Sequence, residues 1–260
     1  MPNIPPLRPL TSAGANFSFI AHRRHILVGK VVFIYKVGID RSSFFCLNGH
    51  MYAFIADVHM RPHIASDRER FLSGLTCLKA LAEKIFILGD LFEYWYTGLE
   101  AEVPDVITAL TDPVIHIMSG NRDFLLAPPF PGLIVGEELR MEIHGRRILL
   151  SHGHMLTQGD MGFKCLHAVG WPLLRLLDKH MEPEFKRDLA EYLVRSSAVI
   201  RPPHGSISRG VARAKGVDTV ICGHLHRGFM SPELMVVPAF ADAPVFLGLD
   251  RQGAAFYRLD

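Results

Sequence analysis

The chain has 260 residues, of which 49% are hydrophobic, and this size predicts one ordinary domain with room for a small insertion. Its net charge is only +2, so no general attraction to nucleic acid is expected and we predict no nucleic-acid partner. No apolar run reaches the ~18 residues that a transmembrane helix needs.

Residues 1–50 differ from the rest of the chain in their charge. They contain six basic side chains and no Glu, and Asp40 is their one acidic residue. A basic segment poor in acidic residues is typical of a targeting leader. The interpretation that we favour is a different one, in which translation begins at Met51, next to the first core strand. Under either interpretation, the catalytic domain is predicted to span residues 51–260.

From Met51 the pattern alternates between strand and helix. An apolar strand, Tyr52–Asp57, is followed by a helix for which Ser66 is the predicted N-cap and Glu69 completes a capping box. The next elements are a strand at Ile85–Leu88, a short helix from Pro104 to Leu110 and a strand at Val114–Met118.

The second half of the domain favours hairpins and then helices. Its predicted elements are a hairpin of Leu139–Ile143 and Arg146–Leu150, a helical region at residues 161–200 interrupted at Pro172 and Pro183, a helix at Ser206–Lys215, a strand at Val217–Cys222, and a hairpin of Val245–Leu249 and Ala254–Leu259. Together these elements predict an α/β domain with a layered β core and helices outside it.

Five short polar runs follow apolar strands along this pattern. Side chains at the carboxyl ends of neighbouring strands converge in space even when they are distant in sequence. The runs supply Asp and Asn oxygens together with His nitrogens, the mixture that divalent metals take. They are Asp57-Val58-His59, Gly89-Asp90-Leu91-Phe92-Glu93, Gly120-Asn121-Arg122-Asp123, His152-Gly153-His154 and Gly223-His224-Leu225-His226.

Each run taken alone has an ordinary explanation. Asp57 and His59 would point to one side of an extended strand end, but an Asp-x-His pair is common in surface and capping roles. Asp90 suits a helix N-cap, and Asn121 suits a turn. His152 and His154 could be solvated loop histidines. The last run, His224-x-His226 after a buried strand, is the strongest single signal.

The five runs in combination indicate a site for two metals. Divalent cations take three or more protein ligands each, and the runs offer seven candidates. Two cations that share a bridging carboxylate are typical of hydrolases of phosphate esters and anhydrides. The candidate ligands are Asp57, His59, Asp90, Asn121, His152, His224 and His226.

These runs resemble the calcineurin-like metallophosphoesterases, whose pattern is DxH, GDxxE/D, GNH/RD, H and GHxH, in order from Met51 to about Gly228. The resemblance implies a four-layer αββα sandwich, two divalent metals, Mn2+ by preference, and a metal-bridging hydroxide as nucleophile. It also implies a bridging Asp90. One metal would take Asp57, His59, Asp90 and His226, and the other would take Asp90, Asn121, His152 and His224.

Longer phrases, GDLFEYW, GNRDFLL, IHGRRILLSHG and GHLHR, resemble the branch of this family that hydrolyses UDP-2,3-diacylglucosamine to UMP and 2,3-diacylglucosamine 1-phosphate in bacterial lipid A synthesis. This resemblance implies catalytic roles for Asn121, Arg122 and His224, and substrate binding by Arg122 and Asp160. His154 departs from that branch, which usually has Asp there. The alternatives are a family member with another substrate (a nucleotide, cyclic nucleotide or phosphoprotein) and a binding module without catalysis.

Residues 161–200 form the predicted helical lid. Their apolar residues recur at spacings of three and four, and basic residues interleave with them. Two interpretations stay open: a helical hairpin that packs on the core, and a cap over an apolar chamber for acyl chains. The basic residues could contact the inner membrane peripherally or simply face solvent. Four scattered cysteines without CxxC spacing indicate reduced thiols and a cytoplasmic protein. The oligomeric state cannot be predicted.

Overall fold

The computed structural model describes residues 51–123, 125, 131–134, 136–158, 170–199 and 206–259, and it describes the side chains of the 170–199 segment as far as residue 192. The predictions for residues 1–50, for Asp160 and for the first part of the lid, 161–169, lie outside the described residues.

Two larger sheets form the centre of the fold. The first has six strands in the order β13-β12-β1-β2-β3-β4 and the second has five in the order β10-β11-β9-β6-β5, while β7 and β8 pair by themselves. The bounds are β1 Tyr52–Ile55, β2 Lys84–Leu88, β3 Ile115–Met118, β4 Leu133–Ile134, β5 Glu138–Ile143, β6 Arg146–Ser151, β7 Thr157–Gln158, β8 Ser206–Ile207, β9 Thr219–Cys222, β10 Phe229–Met230, β11 Leu234–Val236, β12 Val245–Asp250 and β13 Gly253–Arg258.

Helices cover the outer faces of the sheets and form a separate hairpin. They are α1 Ala65–Leu81, α2 Pro104–Leu110, α3 Trp171–Asp178, α4 Pro183–Val199 and α5 Val211–Lys215, with one 3-10 turn at Leu99–Ala101. The predicted helix after the first strand is confirmed, but its predicted N-cap, Ser66, is wrong. Ile64 is the N-cap, because its carbonyl already accepts the backbone N–H groups of Asp67 and Arg68.

Alternating side chains along the central strands build three apolar layers. In β1, Ala53 and Ile55 belong to the cluster beneath α1 and α2, whereas Phe54 belongs to the cluster between the two sheets. In β9, Ile221 faces the same intersheet cluster, and Val220 packs outward with residues of α5. Helix, sheet, sheet and helix therefore stack in order, which confirms the predicted α/β sandwich.

The hairpins were predicted more accurately than the region between them. The pair β5–β6 turns at His144 and Gly145, both with positive φ, as a two-residue hairpin loop requires. The predicted helix at Ser206–Lys215 is wrong in its first half, where Ser206–Ile207 is a strand paired with β7. The helical region is interrupted just before Pro183, as predicted, because residues 179–182 separate α3 from α4 and Pro183 begins α4. Pro172 lies in the first turn of α3, where a missing N–H costs little.

The parallel strands bring all five polar runs to one edge of the sandwich. β1, β2 and β3 run parallel in the first sheet, and β6 and β9 run parallel in the second. Each of the five strands is followed, directly or after one residue, by one of the runs. Residues from both sheets thus meet at the carboxyl ends of these strands. In the described part of the chain, no helix is long and apolar enough to cross a membrane, and Cys77 and Cys222 are buried free thiols.

Candidate metal centre

Three of the five polar runs, the first, second and fifth, share an unusual backbone conformation. Asp57, His59, Asp90, His224 and His226 all have positive φ, between 46° and 69°. Non-glycine residues adopt this left-handed conformation rarely, and such strain concentrates at functional sites. The expectation that Asp57 and His59 continue an extended strand is therefore wrong: β1 ends at Ile55, and tight left-handed turns aim both side chains inward.

Backbone hydrogen bonds hold these turns against one another. The N–H groups of Asp57 and His59 donate to the carbonyls of Gly89 and Asp90, at 3.2 and 2.9 Å, so the loops after β1 and β2 run side by side. In the second sheet, Gly223 N–H donates to the His152 carbonyl at 2.9 Å. The site is consequently built on two pairs of loops, one pair from each sheet.

Asp57 lies where the two pairs of loops meet. Its Oδ2 accepts the backbone N–H of His224 at 2.7 Å, and its side chain is fully buried. Its Oδ1 lies 3.9 Å from His59 Nε2 and 3.6 Å from His226 Nε2, and the two imidazole nitrogens are 3.2 Å apart. These three side chains converge as one group of potential metal ligands.

A second group surrounds Asp90. His152 Nδ1 lies 2.9 Å from the carbonyl of Leu88, which directs Nε2 inward, 3.6 Å from Asp90 Oδ2 and 2.9 Å from Asn121 Oδ1. The same Asp90 oxygen is 3.9 Å from His59 Nε2. Asp90 therefore lies between histidines of the two groups, and Asp57 is also within ligand reach of both.

The remaining histidines differ in exposure and position. The ring centroid of His152 lies 5.1 Å from that of His224 and 5.3 Å from that of His154. His152 and His154 are buried, so the alternative of solvated loop histidines is wrong. His226 is about half exposed, with 47% of its side chain accessible, and it borders solvent. Asp160 lies outside the described residues.

Burial and mutual charge govern the titration of the two central carboxyls. Desolvation raises the pKa of Asp57, although neighbouring histidines oppose the shift. Desolvation acts on Asp90 in the same direction, but His152, His59 and the N–H of Arg122 outweigh it and lower its pKa. Desolvation also disfavours protonation of His152, yet the carboxylates of Asp90 and Asp57 raise its pKa.

The pKa values of two partly buried histidines, His59 and His224, shift in opposite directions. Burial opposes protonation of His59, but its hydrogen bond with Glu93 and the nearby carboxylates raise its pKa to about 9. Burial and the neighbouring His152 lower the pKa of His224 to about 3. The carboxylates thus favour a positive charge at His59 and His152, and a divalent metal would supply positive charge at the same place.

Glu93 connects one candidate ligand to the arginine of the third run. Its Oε2 lies 3.0 Å from His59 Nδ1, and its Oε1 accepts from Arg122 Nη1 at 3.0 Å. The backbone N–H of Arg122 donates to Asp90 Oδ1 at 2.8 Å. A carboxylate on the outer nitrogen of a histidine fixes its tautomer and turns Nε2 toward a metal. Glu93 is thus placed behind the candidate ligands rather than among them.

Asp123 joins the second and third runs through the backbone. One of its oxygens accepts from Gly120 N–H at 2.6 Å and the other from Leu91 N–H at 2.8 Å. Desolvation and the nearby Asp90 raise its pKa to about 6. These bonds make Asp123 the cap of the turn in the third run.

Gly120 permits the closest approach in the site. A Cβ added to it would overlap Oδ1 of Asp90, so any side chain at this position would push the carboxylate out of place. The same holds for Gly223, where an added Cβ would lie 2.7 Å from Oδ2 of Asp57. The glycine before Asn121 and the glycine before His224 are therefore steric requirements of the two central carboxylates.

The side chains at this edge fit divalent cations on structural grounds. Asp57 Oδ1 is fully buried, and within the described part of the chain no hydrogen-bond donor reaches it. A buried carboxylate oxygen without a donor is costly unless a cation faces it. The potential metal ligands at this edge are carboxylate oxygens, an amide oxygen and imidazole nitrogens, and these atoms suit Mn2+ and Zn2+ alike.

Comparison with known proteins points to one family. The family model described as "Calcineurin-like phosphoesterase" matches residues 51–228. A UDP-2,3-diacylglucosamine hydrolase of Chromobacterium violaceum is 29% identical over 195 residues, which cover 67% of this chain and 82% of the relative. The same enzyme of Aeromonas hydrophila is 29% identical over 203 residues, which cover 67% of this chain and 80% of the relative. That of Escherichia coli O139:H28 is 30% identical over 197 residues, which cover 67% of this chain and 81% of the relative.

The position of Asp90 between the two groups generates a prediction about metal content. We expect Asp90→Ala to lose at least one of two bound cations and to reduce turnover to background, because one carboxylate oxygen faces histidines of both groups. Elemental analysis of Mn2+-loaded, gel-filtered protein measures the stoichiometry. Asp112→Ala is the matched control, since Asp112 pairs with Lys79 on the surface. An Asp90→Ala protein that kept two cations and full activity would contradict the assignment.

Proposed function

The chain belongs to the calcineurin-like phosphoesterase family, as a metal-dependent phosphoester hydrolase close to the UDP-2,3-diacylglucosamine hydrolases, and on this basis we propose that it hydrolyses the pyrophosphate of UDP-2,3-diacylglucosamine. The products are UMP and 2,3-diacylglucosamine 1-phosphate. The observation that carries the proposal is Arg122, which the second and third runs hold beside the metal centre through Glu93 and Asp90.

The seven converging side chains are the proposed metal ligands. Asp57, His59 and His226 would hold one cation, and Asn121, His152 and His224 would hold the other, with Asp90 between them. Two divalent cations, proposed to be Mn2+, supply Lewis acidity here: they neutralise phosphoryl oxygens and lower the pKa of water. Around them, Glu93 fixes the His59 ring and the carbonyl of Leu88 fixes the His152 ring.

Arg122 is the proposed phosphate clamp. A guanidinium does not release a proton at neutral pH, so Arg122 cannot act as a general acid, but its N–H groups can bind equatorial phosphoryl oxygens as charge builds there. The proposed substrate needs little acid catalysis, because its leaving group is a phosphate monoester whose second pKa is about 6. The side chains of Asn121 and His224 are proposed to orient the phosphate from the opposite side.

The lipid part of the substrate calls for an apolar neighbourhood. Five large apolar side chains of α3 and α4 are exposed, and three basic residues in or next to these helices are exposed among them, together with the acidic Glu182, Glu184 and Asp188. Because the exposed acidic and basic residues balance, the apolar side chains carry the proposal, and we propose peripheral contact of this surface with the inner membrane. The apolar residues are Leu173, Leu176, Leu177, Phe185 and Tyr192, and the basic residues are Arg175, Lys179 and Arg187. Asp160 is proposed to face the glucosamine.

We expect Mn2+-dependent release of UMP from UDP-2,3-diacylglucosamine. In H2(18)O, attack at the α phosphorus places the label in UMP, which mass spectrometry detects. Arg122→Ala should keep both cations and lower kcat/KM by about 10²–10³-fold, the size typical of losing one transition-state donor. Arg140→Ala is the matched control, because Arg140 lies on the edge strand β5 and bonds the Lys215 carbonyl.

Three results would contradict this assignment. Faster turnover of nucleotides, cyclic nucleotides or phosphoproteins than of the UDP-lipid would indicate another substrate within the family. Label in the lipid phosphate would place the attack at the other phosphorus. Loss of metal from Arg122→Ala would make that residue structural.

The membrane contact has its own test. We expect the Mn2+-loaded protein to cosediment with vesicles containing anionic phospholipid, and the double variant Leu173→Asp/Leu176→Asp to bind about tenfold or more weakly, since it removes apolar area and adds like charge. Ile64→Asp changes another exposed apolar residue, directly before α1 and outside the α3–α4 pair, and should bind as the unchanged protein does. Equal binding by all three proteins would refute the contact.

A further inference from the structure

The helices α3 and α4 form a pair, called here the cap hairpin, that is docked through a polar contact. Several of its large apolar residues point outward: Leu173, Leu176 and Phe185 are 54%, 60% and 57% exposed. Two charged residues of the same helices, Asp178 and Lys186, are instead only 3% and 8% exposed. This departs from the usual arrangement, in which an amphipathic pair buries its apolar stripe and leaves its charges in water.

Both buried charges meet at a single residue of the catalytic core. The carboxylate of Asp178 accepts the backbone N–H of Thr97, with 3.3 and 3.4 Å to its two oxygens. Lys186 Nζ donates to the carbonyl of the same Thr97 at 2.9 Å, and it lies 3.5 Å from Asp178. One residue from each helix thus occupies the two polar backbone groups of Thr97.

Thr97 belongs to the segment that follows Asp90. Four residues before Thr97, Glu93 contacts both His59 and Arg122. The rings of Tyr94 and Tyr96 between them are buried and stacked at 6.2 Å. A contact on Thr97 is therefore a contact on the short stretch that supports the metal centre.

A second contact joins the hairpin to the other half of the centre. The buried ring of Trp171, the first residue of α3, lies 5.7 Å from the ring of His154, which in turn is 5.3 Å from the ring of His152. The hairpin is thereby attached near both candidate metal groups, at Trp171 and at the Asp178–Lys186 pair.

The chemistry of the contact between the Asp178–Lys186 pair and Thr97 makes it specific. Apolar helix faces tolerate sliding, but a buried carboxylate and a buried ammonium are stable only where each meets its partners, so they fix one position of the hairpin. Removal of either partner leaves the other charge buried and uncompensated.

We propose that Asp178 and Lys186 act as positioning residues: they clasp Thr97 and hold the cap hairpin beside the metal centre, so that the part of the substrate beyond the cleaved pyrophosphate is recognised. The role in recognition rests on the proposed function, because it assumes a substrate that extends from the cations to the hairpin. The clasp itself does not depend on that assumption.

The test compares two substrates and one backbone amide. We expect Lys186→Met and Asp178→Asn to raise KM for UDP-2,3-diacylglucosamine by about tenfold at similar kcat, since the contact contributes equally to ground-state and transition-state binding. Hydrolysis of bis(4-nitrophenyl) phosphate, which reaches only the metal centre, should change by less than about twofold. Hydrogen exchange at the Thr97 amide should accelerate by about tenfold or more in Asp178→Asn.

The controls separate this role from a general loss of stability. Lys79→Met and Asp112→Asn make the same changes in an exposed pair, where Lys79 Nζ lies 2.6 Å from Asp112, and both should behave as the unchanged protein does. Lys186→Arg keeps the charge and should recover most of the lost affinity.

Parallel losses on both substrates would overturn the recognition role, and unchanged exchange at Thr97 would overturn the clasp. If the unchanged protein does not hydrolyse the UDP-lipid, the proposed function and the recognition role fail together, and the exchange measurement still decides the clasp.

Discussion

The structure depends on a concentration of buried carboxylates and imidazoles that needs cations. Asp57 and Asp90 are both buried at the meeting point of two sheets, and one oxygen of Asp57 receives no hydrogen bond from the described residues. Like charges so close together in a medium of low polarity repel strongly. Left-handed backbone at five of the seven candidate ligands adds to the cost, and this strain persists because hydrogen bonds between the paired loops hold it.

The surrounding residues extend this centre outward in steps. Glu93 orients His59 and Arg122, and Asp123 ties the second run to the third through three backbone N–H groups. Further along the same segment, the backbone N–H and carbonyl of Thr97 bond to Asp178 and Lys186 of the cap hairpin. The metal centre and the cap hairpin are thus linked by one stretch of chain, residues 90–98.

The sequence predicted the parts of the fold that local patterns determine. Apolar runs in the sequence predicted the central strands. Because a polar run follows each of five strands in the sequence, the runs were predicted to lie at the strand ends. The left-handed turns at Asp57 and His59 were not predictable, because they arise from hydrogen bonds to a different loop. The clasp was not predictable either, because Asp178 and Lys186 lie 81 and 89 residues from Thr97 along the chain. The spacing of apolar residues in the lid predicted amphipathic helices. It did not predict which face of the helices is buried, because the spacing does not identify the surface against which they pack.

The central claim is that one pocket, shared by the two sheets, holds two cations. Anomalous scattering from crystals grown with Mn2+, recorded on both sides of the manganese absorption edge, tests it directly. The account predicts two peaks about 3.5–4 Å apart, with Asp90 between them and Asp57 and His152 on either side. A single peak, or two peaks at separate places on the surface with Asp57 and Asp90 bound to neither, would contradict it.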